Sequence, residues 1–430
     1  MIRCGFSQNI ITPLGEGIFM DGYGHRMSPA SDVHDDLYAK AAVFETADGR
    51  RFAIIVLDTL GVSSEIYTLI TDYIEAMTGL DKSQTAVCGI HSHSGPAGGM
   101  IDGLPVNYDY WCHTAEICGR TISEALDNLC ECHCSSAIAD SEILSSLNRR
   151  DRPFIDRRIR VSVFTGTDGL VRGVISNACC HPVINTSQSM TADYPHVLTR
   201  RALEEYGVPF LFLLGRSADI NPLPELMGSW EGMETVGNEL SDGVLNAVQK
   251  SGDCSWSADF IQSAYKSAVI PMKHFPSPED AKKSFQKHLK KYTELAWSLE
   301  KHYALRELEW HRHIYEKVRQ NEASGLCVPI QVFSIGKRII FVFIPFETFT
   351  NTGNKIENFL LSLGYTAENI YVVSCANSVN GYLAPQEEFA VGGYEISGAA
   401  HWYGLPECSE LSERAVLDAI KELIREVESR

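Results

Sequence analysis

Short apolar runs that end in polar, glycine-rich loops recur along the chain, and they constrain the fold more than any other feature. The run from Phe52 to Leu57 is bounded by charged residues, and residues 85–90 and 210–214 have the same character. Such runs are typical of buried strands, and helical patterns follow several of them. Strands that alternate with helices build sheets covered by helices. The sequence therefore predicts an α/β fold of layered mixed β-sheets flanked by helices, in a single catalytic unit over residues 1–430.

Residues 279–322 have a different pattern. Apolar residues recur there at steps of three or four among many Lys, Glu and His residues, which indicates amphipathic helix. The length allows one long helix or a helical hairpin that lies against the main body, as a lid, an oligomer interface or a packed layer. The histidines of this segment are interpreted as surface residues rather than ligands: His288, His302, His311 and His313.

Charge and composition exclude several classes of partner. The chain carries 37 basic and 55 acidic residues, a formal charge of −18, so phosphate backbones and anionic lipid repel it. No apolar stretch approaches the ~20 residues that span a bilayer, and the N-terminus has no signal-peptide pattern. The 13 cysteines are scattered, as in proteins that keep their thiols reduced. We expect a cytoplasmic protein that binds a small-molecule substrate, without nucleic acid or membrane insertion, and the sequence leaves a homo-oligomer open.

Polar loops suited to chemistry follow four of the predicted strands. His91 and His93 share one loop, and His181, Gly215 and Glu347 lie in or beside the others. In layered α/β proteins, ligands bind where strands end. Two histidines in one loop can bind a metal together, or one can bind it while the other transfers protons. Glu347 has apolar neighbours, where a metal would offset the cost of burying a carboxylate.

The first of these loops resembles a known family signature. Its sequence, His91-Ser-His-Ser-Gly-Pro-Ala-Gly-Gly, is similar to His-Thr-His-Ser-Gly-Pro-Gly-Gly of the neutral (non-lysosomal) ceramidases. Other motifs of that family occur in the same order over essentially the whole chain, in segments that begin at Ile11, Gly22, His34, Asn148, Asp219 and Pro345. The resemblance covers the catalytic domain of the family, and its C-terminal immunoglobulin-like domain is expected to be missing.

The resemblance implies a zinc site made of His91, His181, Glu347 and Tyr382. Two imidazoles and a carboxylate form a well-attested zinc set, which leaves room for a water whose pKa the ion lowers to ~7. Tyrosine is an unusual ligand, and a half-buried aromatic residue with a hydrogen-bonded hydroxyl explains Tyr382 equally well.

The resemblance also implies three catalytic residues. His93 would face the substrate and protonate the leaving group, while Arg149 and Tyr394 would donate hydrogen bonds to the carbonyl oxygen as negative charge develops there. For Arg149, a basic run on a solvated face is the alternative, because Arg150 and Arg152 lie close by. The implied activity is zinc-dependent hydrolysis of linear amides.

The chain departs from the family pattern at one position. Gly215 stands where the family has a serine, and Arg216, Ser217 and Asp219 follow it. These three residues are expected to bind substrate, and the cation of Arg216 suggests a substrate more polar or anionic than ceramide. Asp219 could instead orient a metal-bound histidine or cap a helix, whereas Asp58 is interpreted as structural.

Two alternatives to an amidase stay open. The same metal site could cleave an ester or a lactone, since only the leaving group distinguishes these reactions. The chain could also be a non-catalytic, ceramidase-like metal-binding protein. The change at Gly215 favours that reading, but a structural zinc is usually closed by Cys and His ligands. Catalysis therefore explains the residues better.

Overall fold

Two β-sheets and their covering helices make up the body of the protein. The computed structural model describes residues 1–139, 145–250 and 255–429. The strands in these ranges are β1 (Arg3–Ile10), β2 (Asp32–Val33), β3 (Tyr38–Glu45), β4 (Arg51–Leu57), β5 (Thr85–Gly89), β6 (Cys130–Ala139), β7 (Ser146–Asn148), β8 (Ile159–Gly166), β9 (Val171–Ala178), β10 (Ser189–Met190), β11 (Phe210–Leu214), β12 (Ile220–Pro222), β13 (Ile261–Pro271), β14 (Gly325–Ile335), β15 (Ile339–Phe343), β16 (Glu347–Thr348), β17 (Ile370–Val373) and β18 (Tyr382–Leu383). The α-helices are α1 (Ser64–Thr78), α2 (Tyr108–Asp127), α3 (Pro195–Tyr206), α4 (Trp230–Lys250), α5 (Pro278–Glu294), α6 (Leu299–Arg319), α7 (Thr350–Ser362), α8 (Ala399–Trp402) and α9 (Ser412–Ser429).

The larger sheet has eight strands in the order β11-β9-β8-β6-β1-β3-β4-β5, and the second has the order β13-β14-β15-β17. Both sheets are mixed. Most neighbouring strands are antiparallel, while β4–β5, β9–β11 and β15–β17 are parallel pairs. The predicted α/β fold with layered mixed sheets is confirmed.

The alternation of side chains along the smaller sheet explains why it lies between two other layers. In β15, Phe341 belongs to the core shared with the larger sheet, whereas Ile340 packs with α9 on the opposite face. Successive side chains of a strand point to opposite faces, so a continuous apolar strand buries both. Phe333 of β14 stacks on Phe52 of the larger sheet with ring centroids 4.0 Å apart. Each buried Phe contributes about 1.5–3 kcal/mol, and such pairs hold the sheets face to face.

The segment predicted over residues 279–322 is a helical hairpin rather than one long helix. Ser298 ends the connection between α5 and α6, because its hydroxyl accepts a hydrogen bond from the backbone N–H of Lys301 and caps α6. Ala281, Ile314 and Val318 form a small apolar cluster of their own, so the hairpin is a separate layer outside the two-sheet core. Within the described ranges, no helix is both long and apolar enough to cross a membrane.

Candidate active site

Four chain segments that end or begin at strands bring the predicted metal ligands together. His91 lies just after β5, and His181 follows β9. The short strands β16 and β18 pair in parallel, with Glu347 opposite Tyr382. Residues opposite each other in a sheet project their side chains on the same face, so this pairing places the phenol beside the carboxylate. His91 has a φ of 70°, a left-handed conformation that is uncommon outside glycine.

The two histidines converge on one carboxylate oxygen. His181 Nε2 lies 3.0 Å from Glu347 Oε2, and His91 Nε2 lies 3.3 Å from the same atom. All three side chains are buried. The His91 contact is close but not aligned as a hydrogen bond, and His91 Nε2 has no hydrogen-bond partner in the described part of the chain. A buried nitrogen without a partner is costly, and a metal ion at this point would satisfy it.

The opposite ring nitrogens fix the direction in which the two imidazoles point. His91 Nδ1 lies 2.9 Å from the carbonyl oxygen of Leu60, and His181 Nδ1 lies 2.6 Å from that of Ser217. A carbonyl only accepts, so each Nδ1 donates a proton to its carbonyl, and each Nε2 is turned toward Glu347. Histidines that bind metals in proteins are oriented in this way. The arrangement therefore fits a metal ion beside Glu347.

His93 completes a group of three histidines. Its ring centroid lies 5.1 Å from that of His91 and 6.0 Å from that of His181, and one nitrogen of each ring lies within 4.8 Å of the others. Neither nitrogen of His93 has a hydrogen-bond partner among the described residues. Burial, followed by repulsion from His91 and His181, holds the pKa of His93 well below its usual value. Its neutral ring can serve either as a third nitrogen ligand or as a proton acceptor.

The Gly22 segment makes room for this histidine. A Cβ atom on Gly22 would lie 2.6 Å from His93 Nδ1, and Gly22 has a φ of +105°. Both observations require glycine at this position. The next residue, Tyr23, packs its ring 5.1 Å from the His93 ring. The similarity of this segment to the opening of the ceramidase family thus has a local cause, because the segment forms one wall of the histidine cluster.

Glu347 remains ionised in its buried position. Burial raises the pKa of this carboxyl, but His91 and His181 together outweigh that effect and hold the pKa well below its usual value. The Tyr403 hydroxyl donates a hydrogen bond to Glu347 Oε1, leaving Oε2 facing the histidines. Sequence reasoning missed Tyr403, although its position in the closing segment after Tyr394 was a signal that could have identified it.

Arg149, Tyr382 and Tyr394 lie side by side next to this cluster. Arg149 Nη2 donates to the carbonyl oxygen of Ala218 over 2.7 Å, and Arg149 Nε lies 3.0 Å from Glu395 Oε1. The guanidinium carbon is 5.5 Å from the Tyr382 ring centroid. The Tyr382 and Tyr394 rings are 6.0 Å apart. Tyr382 is 7% exposed and Tyr394 is 49% exposed, so Tyr394 marks the side of the group that is open to solvent.

Arg216 does not occupy the position expected from the sequence. Its guanidinium is buried and donates to Asp156 Oδ2 and to Glu357 Oε2. A Cβ on Gly353 of α7 would lie 2.3 Å from Arg216 Cδ, so this glycine makes space for the arginine side chain. The structure therefore corrects the expectation that Arg216 adds a cation to the substrate pocket. Buried charges require partners, and this one pairs with two internal carboxylates, which also bind Arg158 and Arg160.

The neighbours of Arg216 have structural contacts as well. Ser217 is buried and offers its carbonyl oxygen to His181 Nδ1. Asp219 Oδ1 accepts from the backbone N–H of Thr350, the first residue of α7, over 2.8 Å, and its Oδ2 accepts from Asn148 Nδ2 over 2.7 Å. Of the three roles considered for Asp219, these contacts favour helix capping, although the helix is the distant α7 rather than the one that follows Asp219 in the chain.

Gly215 and Asp58 also have structural explanations. A Cβ on Gly215 would lie 2.5 Å from Cys179 Sγ, so Cys179 fills the space into which the serine of the family motif would project. Asp58 lies 2.7 Å from Lys40 Nζ in a buried ion pair, in line with its structural interpretation.

Comparison with known proteins gives a match in fold without a match in sequence. No protein-family model matches the chain, and no curated protein sequence matches it. The neutral ceramidase from Pseudomonas aeruginosa superposes with a TM-score of 0.77 at 16% sequence identity, over 99% of this chain and 74% of that one. The structure of a ceramidase complexed with C2 has a TM-score of 0.75 at 16% identity, over 99% of this chain and 75% of that one. The protein therefore has an α/β fold like that of these two ceramidase structures. Its fold is that of the neutral ceramidases, which confirms at the level of fold the resemblance found in the motifs.

Proposed function

We propose that the protein is a zinc-dependent hydrolase that cleaves N-acyl amide bonds. The observation that carries this proposal is the convergence of His91 and His181 on Glu347 in a buried site. Two imidazoles and one carboxylate are a common donor set of catalytic zinc. Tyr382 would complete the set, because it lies opposite Glu347 in the β16–β18 pair. A zinc ion held there would polarise a carbonyl group and activate water.

Arg149 and Tyr394 would stabilise the negative charge that develops on the substrate carbonyl oxygen. Arg149 is held in place by Ala218 and Glu395, so its remaining N–H groups are oriented before substrate binds. Partial burial raises the pKa of Tyr394, and the negative charge of Glu347 raises it further, so the phenol stays protonated and can donate a hydrogen bond. Donors fixed in advance need no reorganisation during the reaction.

His93 would carry the proton to the leaving nitrogen. Both of its ring nitrogens lack hydrogen-bond partners among the described residues, so both stay free to take up or release a proton. A neutral imidazole can accept a proton from the attacking water and then deliver it to the amine as the C–N bond breaks. An amide needs this protonation more than an ester does, because an amine anion is a poor leaving group. His93 is therefore the residue that favours amides over esters or lactones.

The substrate assignment rests on the proposed metal site rather than on Arg216. Because Arg216 is buried and directed at Asp156 and Glu357, the reason for expecting an anionic substrate is removed. The half-exposed Tyr394 is the side chain of this group that a linear N-acyl amide would meet first. The whole chain is assigned to one catalytic unit, since the proposed site draws on residues from His91 to Tyr403.

The first experiment is elemental analysis of the untagged protein. We expect about one zinc ion at this site, lost in His181→Ala and retained in His113→Ala, a control on the exposed surface of α2. Turnover is then measured on an N-acyl amide and on the ester with the same acyl group. His91→Ala and Glu347→Ala should each abolish amide cleavage. If both variants turn over as fast as the wild type, the proposed function is wrong.

A further inference from the structure

A second cluster of histidines lies on the helical hairpin, outside the proposed active site. His288 of α5 and Glu307 and His311 of α6 each place a possible ligand atom within 4.8 Å of the others. Glu307 and His311 are four residues apart on one helix, so their side chains share a face. The antiparallel helix α5 brings His288 against that face. The His288 and His311 rings stack with centroids 3.9 Å apart and an angle of 17° between their planes.

One serine orients both imidazoles of this cluster. His288 Nδ1 lies 2.9 Å from the carbonyl oxygen of Ser284, and His311 Nδ1 lies 3.1 Å from the Ser284 hydroxyl. These contacts use Nδ1 of each ring and leave its Nε2 for another partner. As at His91 and His181, an oxygen atom lies at each Nδ1, and at His311 that oxygen is a hydroxyl, which can donate as well as accept. Metal-binding histidines depend on such partners.

A carboxylate and a cavity adjoin the two imidazoles. Glu307 supplies a carboxylate, and His401 Nδ1 lies 2.9 Å from Glu307 Oε1. The Nε2 atom of His401 is buried without a hydrogen-bond partner among the described residues. A cavity of about 490 Å³ opens at His311 and His401, which gives an ion access.

We propose that the hairpin binds a second transition-metal ion, of the Zn²⁺ class, through His288 Nε2, His311 Nε2 and the Glu307 carboxylate. Two nitrogens and one oxygen are donors typical of Zn²⁺, whereas Mg²⁺ and Ca²⁺ prefer oxygen alone. Ligand atoms around a tetrahedral zinc are roughly 3.3 Å apart for bonds of about 2.0 Å, so at least one imidazole has to turn out of the present stack for both Nε2 lone pairs to meet one ion. The proposal is independent of the function proposed for the His91 site.

The second ion would connect the hairpin to the segment that contains the active-site tyrosines. Glu307 contacts His401 of α8, and α8 lies between Tyr394 and Tyr403 in the chain. Trp310 also stacks on His401, with ring centroids 3.9 Å apart, and donates to the carbonyl oxygen of Leu405 over 2.8 Å. An ion that fixes Glu307 would therefore hold this face of the hairpin against the closing segment.

The test is to count Zn²⁺ ions per chain after chelation and dialysis against buffered Zn²⁺, with untagged full-length protein. The double variant His288→Ala/His311→Ala should bind one ion fewer than the wild type, and so should His181→Ala. Combining all three substitutions should remove two. The control His302→Ala, on the same helix, should bind as many ions as the wild type. Equal Zn²⁺ content in the wild type and the double variant would overturn the proposal.

A titration in the His181→Ala background separates this site from the proposed active site. Ser284→Ala removes no ligand, yet it should weaken Zn²⁺ binding about 10–100-fold because it frees the His311 ring. Glu307→Gln should weaken binding as well, and it keeps the residue size if the double variant does not fold. Unchanged affinity in both single variants contradicts the hairpin site. If His181→Ala binds as much Zn²⁺ as the wild type while the double variant loses one ion, the proposed function fails and the hairpin site stands.

Discussion

An oxygen atom lies at Nδ1 of His91 and His181 and also at Nδ1 of His288 and His311, but different parts of the fold hold the two clusters in place. His91 and His181 are buried, and backbone carbonyls of distant segments fix them. His288 and His311 are half-buried on neighbouring helices, and a single serine fixes both. The first cluster is therefore part of the two-sheet core, whereas the second is a local feature of one hairpin. We therefore expect a substitution in the first cluster to have a large effect on the protein, and a substitution in the second to have an effect limited to the hairpin.

Among these tests, removing one histidine from each cluster should give the largest difference in amide turnover. We expect His181→Ala to lower amide turnover by more than about 100-fold, because loss of a ligand should exceed the 10–100-fold effect of losing an outer partner. His311→Ala should change turnover by less than about 10-fold, since it acts only through the contact of Glu307 with His401. The measurement is kcat/KM on one N-acyl amide, with metal content determined in parallel. Equal losses in the two variants would show that the clusters form one functional unit.

Loss of a buried ion pair in the core should destabilise the protein more than loss of an ion pair on the hairpin. Arg216 is buried between Asp156 and Glu357, and Arg216→Met leaves these carboxylates with Arg158 and Arg160 alone. Breaking a buried pair costs about 3–5 kcal/mol when it leaves a charge unpaired. Asp156 and Glu357 keep Arg158 and Arg160, so we expect a loss below that range but above about 1 kcal/mol. The measurement is the free energy of unfolding in denaturant.

The matched substitution on the hairpin is Arg312→Met. Arg312 pairs with Glu309 and Glu316 along the exposed face of α6, where such pairs contribute less than about 1 kcal/mol. If the two Met variants are destabilised equally, the ion cluster around Arg216 does not stabilise the core in the way that its burial implies.

The sequence predicted the architecture because the signals for it are local. Apolar runs such as residues 52–57 and 339–343 indicate buried strands by themselves, and the motif around His91 indicated the ceramidase fold. The partner of a charged side chain depends on residues far away in the chain. Arg216 was assigned to the substrate pocket because Asp156 and Gly353 are invisible as its neighbours in the sequence.

The same limit applies to the contacts around the candidate site. The sequence does not reveal that the Tyr403 hydroxyl reaches Glu347 or that Cys375 Sγ lies 3.4 Å from His91 Nδ1. It also does not reveal that α5 and α6 pair in a register that places His288 on His311. The histidines of the hairpin were interpreted one by one, and a pairing between two helices cannot be recognised from single residues.

Tyr403 offers a smaller test of how the buried cluster is supported. Tyr403→Phe removes the hydrogen bond to Glu347 Oε1 and keeps the ring. We expect zinc affinity at the His91 site to fall by about 10–100-fold, the usual effect of losing a partner of a metal ligand. The control is Tyr108→Phe, which removes an exposed hydrogen bond to Glu65 and should leave the affinity unchanged. Unchanged affinity in Tyr403→Phe would mean that the core around Glu347 positions the carboxylate without this hydroxyl.

Gly215→Ser should give the smallest effect, and it tests why the chain departs from the ceramidase motif. The new side chain would meet Cys179 Sγ, at 2.5 Å from its Cβ. Cys179 can rotate only within a buried site, so we expect destabilisation of about 1 kcal/mol, at the low end for overpacking. Gly15→Ser is the control, because no atom lies within 4 Å of its Cβ position. Cys179→Ala combined with Gly215→Ser should recover most of the lost stability, as expected for two residues that share one space. If the double variant is as unstable as the sum of the single variants, the serine is excluded by the backbone at Ala178 rather than by the thiol of Cys179.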